Sequence, residues 1–372
     1  MNVGEISGAN RDPPPDAGAA GANEPRVRRS TRFGWVAFAV LAVAIALLAL
    51  IPTTQPVSTI NNVTQLLILI VMGIMWNLLA GYAGLVSIGL QAFIGLGGYV
   101  LLDLADHNGV QPFVALGLSA LVCGAIALVS SFVVFRLRGG YFAIGTWVVA
   151  EVFSLITLQI NSLGGGSGTS LNSLSYLLPL TRLNDVYWAS LICAVIAFAT
   201  VYLLLRSRTG LALTATRDDE AGARSLGVRS TLTRRIAYTV AGIGCGAAGG
   251  LLLMSNLDIV PSSAYSVNLS AYMIFIVLIG GIGTIEGPII GAVIFWYVQL
   301  EFANYGAYYL IALGALAVVM TLVLPGGVAG VIRRLTRVDP FPVGYVLADE
   351  RGGSPPGSTR VITTTSPPSA IR

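Results

Sequence analysis

The feature that most constrains this chain is a series of long stretches without charge. Gly34 to Ile51 carries no ionisable side chain, and wound as a helix it extends about 27 Å, close to the hydrocarbon thickness of a bilayer. Comparable runs lie, to within a few residues, at 63–80, 84–104, 112–135, 140–160, 186–205, 236–256, 270–285, 287–303 and 308–325. Together they predict about ten membrane-spanning helices. Backbone amides in lipid must be satisfied within a helix or a closed barrel, and these runs are too long and too unalternating for barrel strands. The predicted class is therefore all-α, a polytopic integral membrane protein. Composition agrees: 55% of residues are hydrophobic and only 10% charged, against about 25% charged in soluble domains.

The arginines give an independent test of this map. Lys and Arg total 21, and every one is Arg. Loops on the cytoplasmic side of a membrane collect such charge. Arg26, Arg28, Arg29 and Arg32 precede the first span, Arg136 and Arg138 follow the fourth, the segment 206–235 follows the sixth, and Arg333, Arg334 and Arg337 follow the last. The alternate loops hold only Arg182. Both termini are therefore expected in the cytoplasm, with 1–33 and 336–372, rich in Gly, Pro, Ser and Thr, as disordered tails. The net charge of +4 is accounted for by these loops, so nucleic acid is not expected as a partner. Cys123, Cys193 and Cys245 each sit in an apolar run with no metal or disulfide spacing, and are expected to pack as small core residues.

Three segments place glycine or charge where a lipid-facing helix needs neither. In Trp76 to Tyr99 a span breaks at Gly81 and Gly84 and resumes with Ser87, Gly89 and Gln91. This is either a tight turn between close-packed helices or a re-entrant, interrupted helix of the kind that builds membrane binding sites. Gly280 to Gly291 is a second glycine-rich interruption. Gly283, Gly287 and Gly291 recur at four-residue spacing, as do Gly242, Gly246 and Gly250, a pattern that lets helix backbones approach closely. The third segment is the loop 214–235. Thr216 and Asp219 approximate a capping box and Gly227 can end a helix, so Arg217 to Leu226 is predicted as one short interfacial helix, either a docking element or a solvated loop that sets topology.

Ionisable groups within spans are costly unless they face protein or water. Glu151, in the middle of the fifth span, is the leading candidate, for hydrogen bonding or for a pathway. Glu286 is expected in a solvated turn, and Asp103, Asp106, His107 and Glu301 at interfaces. The motifs H-E-x-x-H and G-x-S-x-G are absent, and a phosphate loop needs a lysine the chain lacks. No enzyme chemistry, metal or cofactor is predicted; if ATP drives this protein, another polypeptide hydrolyses it.

In this order and spacing, the segments resemble the LivM-type permeases of branched-chain amino acid ABC transporters. Gly81, Tyr82, Gly84, Ser87 and Gly89 match a GY-x-G-x-x-S-x-G region. Arg138, Gly139 and Tyr141 to Ile144 match an R-G-x-YFAI stretch, followed by the acidic Glu151. Arg217, Asp218, Glu220, Leu226 and Gly227 match an RD-x-E…LG loop, and Gly280 to Gly291 a GG-x-G-x-x-x-GP-x-x-G region. The chain departs from the pattern at Ile88 to Gln91, at Glu286 and at Gly164 to Leu171, so the resemblance leaves the substrate open among branched-chain and other amino acids, amides and urea.

The resemblance covers about residues 35–335 and implies a bacterial inner-membrane permease. Its implied partners are two cytoplasmic ATPase subunits, a homologous second permease and an extracytoplasmic substrate-binding protein. It assigns Asn77, Gly81, Tyr82, Gly84, Ser87, Gly89, Gln91, Glu151, Gly280, Gly281, Gly283 and Thr284 to the substrate pathway. Arg217, Asp218, Asp219, Glu220, Arg224, Leu226 and Gly227 are assigned to ATPase coupling. The rival reading is an ion-coupled secondary transporter or channel built on Glu151.

Overall fold

Apolar runs this long satisfy their backbones as helices, and the computed structural model, which describes residues 27–28, 32–137, 139–175, 178–302, 308–324, 326–336 and 346–347, is helical in almost every such run. In chain order the helices are α1 (Arg32–Thr54), α2 (Val57–Asn77), α3 (Gln91–Leu102), α4 (Pro112–Val134), α5 (Gly140–Leu158), α6 (Pro179–Arg206), α7 (Arg208–Asp218), α8 (Glu220–Ser225), α9 (Ser230–Asn256), α10 (Pro261–Ala264), α11 (Val267–Gly280), α12 (Gly287–Phe302), α13 (Tyr308–Val323) and α14 (Gly327–Thr336). Seven segments among the described residues are long and apolar enough to cross a membrane, and Gly287–Phe302 is a shorter apolar helix. Proline opens α4, α6 and α10, where its missing N–H leaves nothing unpaired.

The chain from Thr31 to Gly344 forms one unit. The expected tails lie mostly outside the described residues, as do Arg138 and Arg337. Their described part is a two-residue antiparallel ladder, Val27 with Leu347 and Arg28 with Val346.

The unit is centred on α9, which packs on α2, α3 and α4. Association of apolar helices in lipid depends on close packing rather than on expulsion of water, and the glycine stripe of α9 supplies it. A Cβ at Gly242 would lie 2.5 Å from Ala127 Cβ, and one at Gly246 2.6 Å from Cys123 Cβ. On its other side, a Cβ at Gly249 would lie 1.8 Å from the Ile94 carbonyl oxygen. The α11–α12 hairpin closes in the same way, with Gly280 against the Gly287 carbonyl and Gly291 against that of Ile276, each at 1.9 Å from an added Cβ. Cys123 and Cys245 are buried free thiols.

Several expectations need correction. Residues 84–104 are not a full span: α3 begins at Gln91, and 84–89 before it form no helix. Gly283 does not belong to a helical stripe; it lies in the loop between α11 and α12 with φ of +72°. The predicted helix Arg217 to Leu226 is two helices, because Asp219 adopts extended backbone (φ −150°, ψ 104°) and caps α8 through Oδ1, which accepts from the amides of Ala221 at 3.0 Å and Gly222 at 3.1 Å. Thr216 is not the cap; inside α7 its hydroxyl donates to the Ala212 carbonyl at 2.7 Å, the local bond a threonine makes when a helix continues past it.

Candidate functional site

The two glycine-rich interruptions, far apart in sequence, meet at the end of the bundle that carries the arginine-rich loop. α2 does not stop at Asn77 but widens into a π-helical turn, Leu78–Tyr82, a feature frequent at functional sites. Asn77, 2% exposed, faces the loop between α11 and α12. Its Nδ2 donates to the Thr284 carbonyl at 2.8 Å and its Oδ1 accepts from the Gly283 amide at 2.9 Å. One amide side chain thus pairs both faces of a loop that has no helical partner of its own. Gly81 makes room for this: a Cβ there would lie 2.3 Å from Asn77 Oδ1 and 2.6 Å from the Gly283 amide nitrogen. Thr284 then starts α12, its hydroxyl donating to the Gly281 carbonyl at 2.8 Å and accepting from the Gly287 amide at 3.1 Å.

Beyond Tyr82 the chain turns at Gly84, whose φ is +68°, and continues as a non-helical segment to α3. Side chains alternate along it: Leu85, Ser87 and Gly89 are buried, while Gly84 and Val86 are exposed and Ile88 half-buried. Non-helical backbone at membrane depth requires partners from protein or water, and here side chains provide them. Trp76 Nε1 donates to the Ser87 carbonyl at 2.8 Å, the Ile88 amide donates to Thr146 Oγ1 at 3.3 Å, and Ser270 Oγ donates to the Ile88 carbonyl at 3.0 Å. Ser270 also bonds Gln91 Oε1. Ser87 and Gln91, both expected in the pathway, are each 0% exposed.

This alternation makes a prediction. A cysteine at Val86, 52% exposed, is expected to react with a small water-soluble thiol reagent, and one at Ser87 at least about tenfold more slowly, since reaction needs access to the thiolate. Equal rates at both positions would contradict the alternation.

Beside the segment lies a cavity of about 600 Å³ bounded by Gly84, Val86, Phe142, Glu220, Arg224 and Arg234. Glu220, expected as a docking residue, pairs with Arg224 one turn along α8 and with Arg234 Nη1 on α9 at 2.8 Å. Gly227, at φ +84°, ends the helix, and Leu226 beside it is 84% exposed. Glu286 is not solvated either; it pairs with Arg333 Nε of α14 at 2.7 Å, with 12% of its side chain exposed. Glu151 stands apart from all of these, exposed on α5. At the opposite end of the bundle Asp106 accepts from the backbone amides of Asn172 and Ser173, both at 2.8 Å. Trp76, Thr146, Ser270 and Arg333 had no sequence signal, because each acts through a partner remote in the chain or through packing that no spacing encodes.

Two interrupted spans that touch, joined to a polar loop at one end of an apolar bundle, define a polytopic membrane protein of the transporting kind. The chain belongs to the family described as branched-chain amino acid transport system / permease component, whose model matches residues 58–330. The match begins at the start of α2 and ends within α14. Among curated relatives, the chain is 27% identical over 321 residues to the high-affinity branched-chain amino acid transport system permease protein LivM of Salmonella typhimurium, covering 79% of this chain and 74% of that one. It is 24% identical over 293 residues to a probable branched-chain amino acid transport permease protein LivH of Methanocaldococcus jannaschii, covering 72% and 90%. It is also 28% identical over 281 residues to the autoinducer 2 import system permease protein LsrC of an Enterobacter species, covering 71% and 76%. No solved structure matches the chain.

Proposed function

We propose that this chain is the permease subunit of an ATP-driven importer for branched-chain or closely related amino acids. The observation that carries this reading, beyond family membership, is the seating of an arginine-rich two-helix loop on the first interrupted span, at the turn that packs against the second. A loop so placed gives an outside motor a mechanical route into the bundle. Members of the family are transport subunits and not enzymes, which leaves hydrolysis to a partner. In this proposal the arginine-rich end faces the cytoplasm of a bacterium, as do both tails, and the protein sits in the inner membrane. Two ATPase subunits contact α7 and α8 from below, a homologous permease pairs with this one, and a binding protein delivers substrate to the far side. Relatives named for branched-chain amino acids and for autoinducer 2 support import of a small polar solute and favour the former class by the family description.

Within the pathway assignment, Gly84, Val86 and Ile88 are the surface a solute meets beside the loop, and Glu151 is a separate point on the outer face of α5. Asn77, Gly81, Tyr82, Ser87, Gly89, Gln91, Gly280, Gly281, Gly283 and Thr284 shape the interrupted spans behind it. Among the coupling residues Leu226 is the docking anchor, because an apolar side chain left 84% exposed beside a helix end suits burial in a protein groove.

The test is reconstitution with the ATPase subunits and binding protein in proteoliposomes. Uptake is expected to require ATP, and Leu226→Asp is expected to reduce ATPase co-purification and uptake together by about tenfold, as loss of a buried interface anchor does, while the protein itself keeps its thermal stability. Uptake driven by an ion gradient without ATP would overturn the proposal, and normal co-purification of the Asp variant would remove Leu226 from the interface.

A further inference from the structure

One guanidinium ties the arginine-rich loop to the first interrupted span at the point where the second lies against it. Arg217, in the last turn of α7, directs Nη1 to the carbonyl oxygen of Gly81 at 2.6 Å. Its Nε and Nη2 both face Asp218 Oδ1, each at 2.9 Å, so the planar group is held from two sides. Gly81 lies at the end of the π-helical turn, where carbonyls lose their intrahelical partners, and the charged donor takes up one of them.

Three glycines, Gly81, Gly84 and Gly283, make the space for this. A Cβ on Gly84 would lie 3.1 Å from Arg217 Cγ, and a Cβ on Gly283 would lie 3.2 Å from the Gly81 carbonyl oxygen and 3.5 Å from Arg217 Nη1. Gly84 and Gly283 also hold positive φ, +68° and +72°, which side chains with a Cβ rarely adopt. The stem of Arg217 therefore rests on the start of the non-helical segment while its head lies against the loop that Asn77 grips. On the other side, only Asp218 separates Arg217 from Asp219, the extended residue at which α8 begins.

We propose that Arg217 is a positioning residue for transport: it conveys displacement of α8, pivoting at Asp219, to the Gly81 carbonyl and so to both interrupted spans at once. It is an internal link and not an ATPase contact. The proposal rests on the permease reading for the source of the displacement, but the clasp itself is independent of it. Arginine suits the task because its rigid fork serves the Gly81 carbonyl and the Asp218 carboxylate in one plane, which a lysine ammonium cannot do.

The experiment has two readouts on Arg217→Gln and Arg217→Lys. In the full chain in detergent, amide hydrogen exchange over residues 78–86 and 281–286 is expected to quicken in both segments for the Gln variant and less for the Lys variant. In the reconstituted complex, the Gln variant is expected to keep its ATPase and hydrolyse ATP within about twofold of the parent, while uptake per ATP falls about tenfold, the scale of one charge-assisted hydrogen bond. The Lys variant is expected to recover part of that loss. Unchanged exchange in both segments would overturn the clasp, and uptake and hydrolysis falling in proportion would overturn its role in transmission. A parent complex that shows no ATP-driven uptake counts against the permease reading alone, because the exchange readout still decides whether Arg217 holds the two segments.

Discussion

Replacing Asn77 with Leu is expected to lower the melting temperature of the solubilised protein by several degrees and to cut uptake by about tenfold or more. The side chains share their branching and number of heavy atoms and leucine is the larger, so the substitution removes hydrogen bonds without opening a cavity. It leaves the Gly283 amide and the Thr284 carbonyl, paired at 2.9 and 2.8 Å in the parent, without partners in a region where Asn77 itself is 2% exposed. Each buried polar group left unpaired costs about 1–3 kcal/mol, so the pair costs roughly 2–6 kcal/mol. Asn77→Asp is expected to do no better. It keeps an acceptor for Gly283, but turns a carboxylate oxygen toward the Thr284 carbonyl and buries charge. Asn77→Gln adds a methylene where Gly81 already has no room for a Cβ. Thermal unfolding followed by size-exclusion chromatography, with uptake in parallel, reads both effects. A Leu variant as stable and active as the parent would mean that water, or movement of the loop, replaces both bonds.

How far the sequence foretold this arrangement depends on the range of each interaction. Spans such as α4 and α5 were legible almost to the residue, because hydropathy over a bilayer's length and a proline or glycine at the first turn are local signals. The two interruptions were legible as glycine clusters, and so was the helix end at Gly227. Their meeting was not, since Asn77 and Gly283 are 206 positions apart and asparagine has no spacing rule that names its partner. The start of α3 was misplaced for a related reason. Leu85 to Leu90 is apolar enough to read as helix, and tertiary hydrogen bonds from Trp76, Thr146 and Ser270 take up its backbone instead. In the loop, Thr216 and Asp219 were both plausible caps by type. Asp219 prevailed because its carboxylate accepts two amides where a hydroxyl already satisfied inside α7 accepts none.

Glu151 gives the sharpest test of what the exposed face of α5 meets. It lies about 17 Å along the helix from Gly140, near the middle of the span, while Phe142, Thr146, Ala150 and Ser154 form the buried side. Its neighbours on the outer face are apolar, Val148 at 53%, Val152 at 47% and Leu155 at 53% exposed. A carboxylate at the centre of a lipid-facing helix costs about 3 kcal/mol or more, so this face is better explained by water in a pathway or by a second permease than by lipid. Glu151→Gln keeps the shape and most of the hydrogen-bonding capacity while removing titration. In the reconstituted complex, uptake by the Gln variant is expected to stay within about twofold of the parent, to need ATP, and to ignore an imposed pH gradient. Glu151→Leu removes the polar group altogether and is expected to reduce uptake by about tenfold, with folding retained, because an apolar side chain at this position is compatible with a spanning helix. If the Leu variant transports as well as the parent, Glu151 lies outside the pathway. If the unmutated protein takes up solute along a pH gradient without ATP, and the Gln variant does not, Glu151 is a proton carrier and the chain is an ion-coupled transporter.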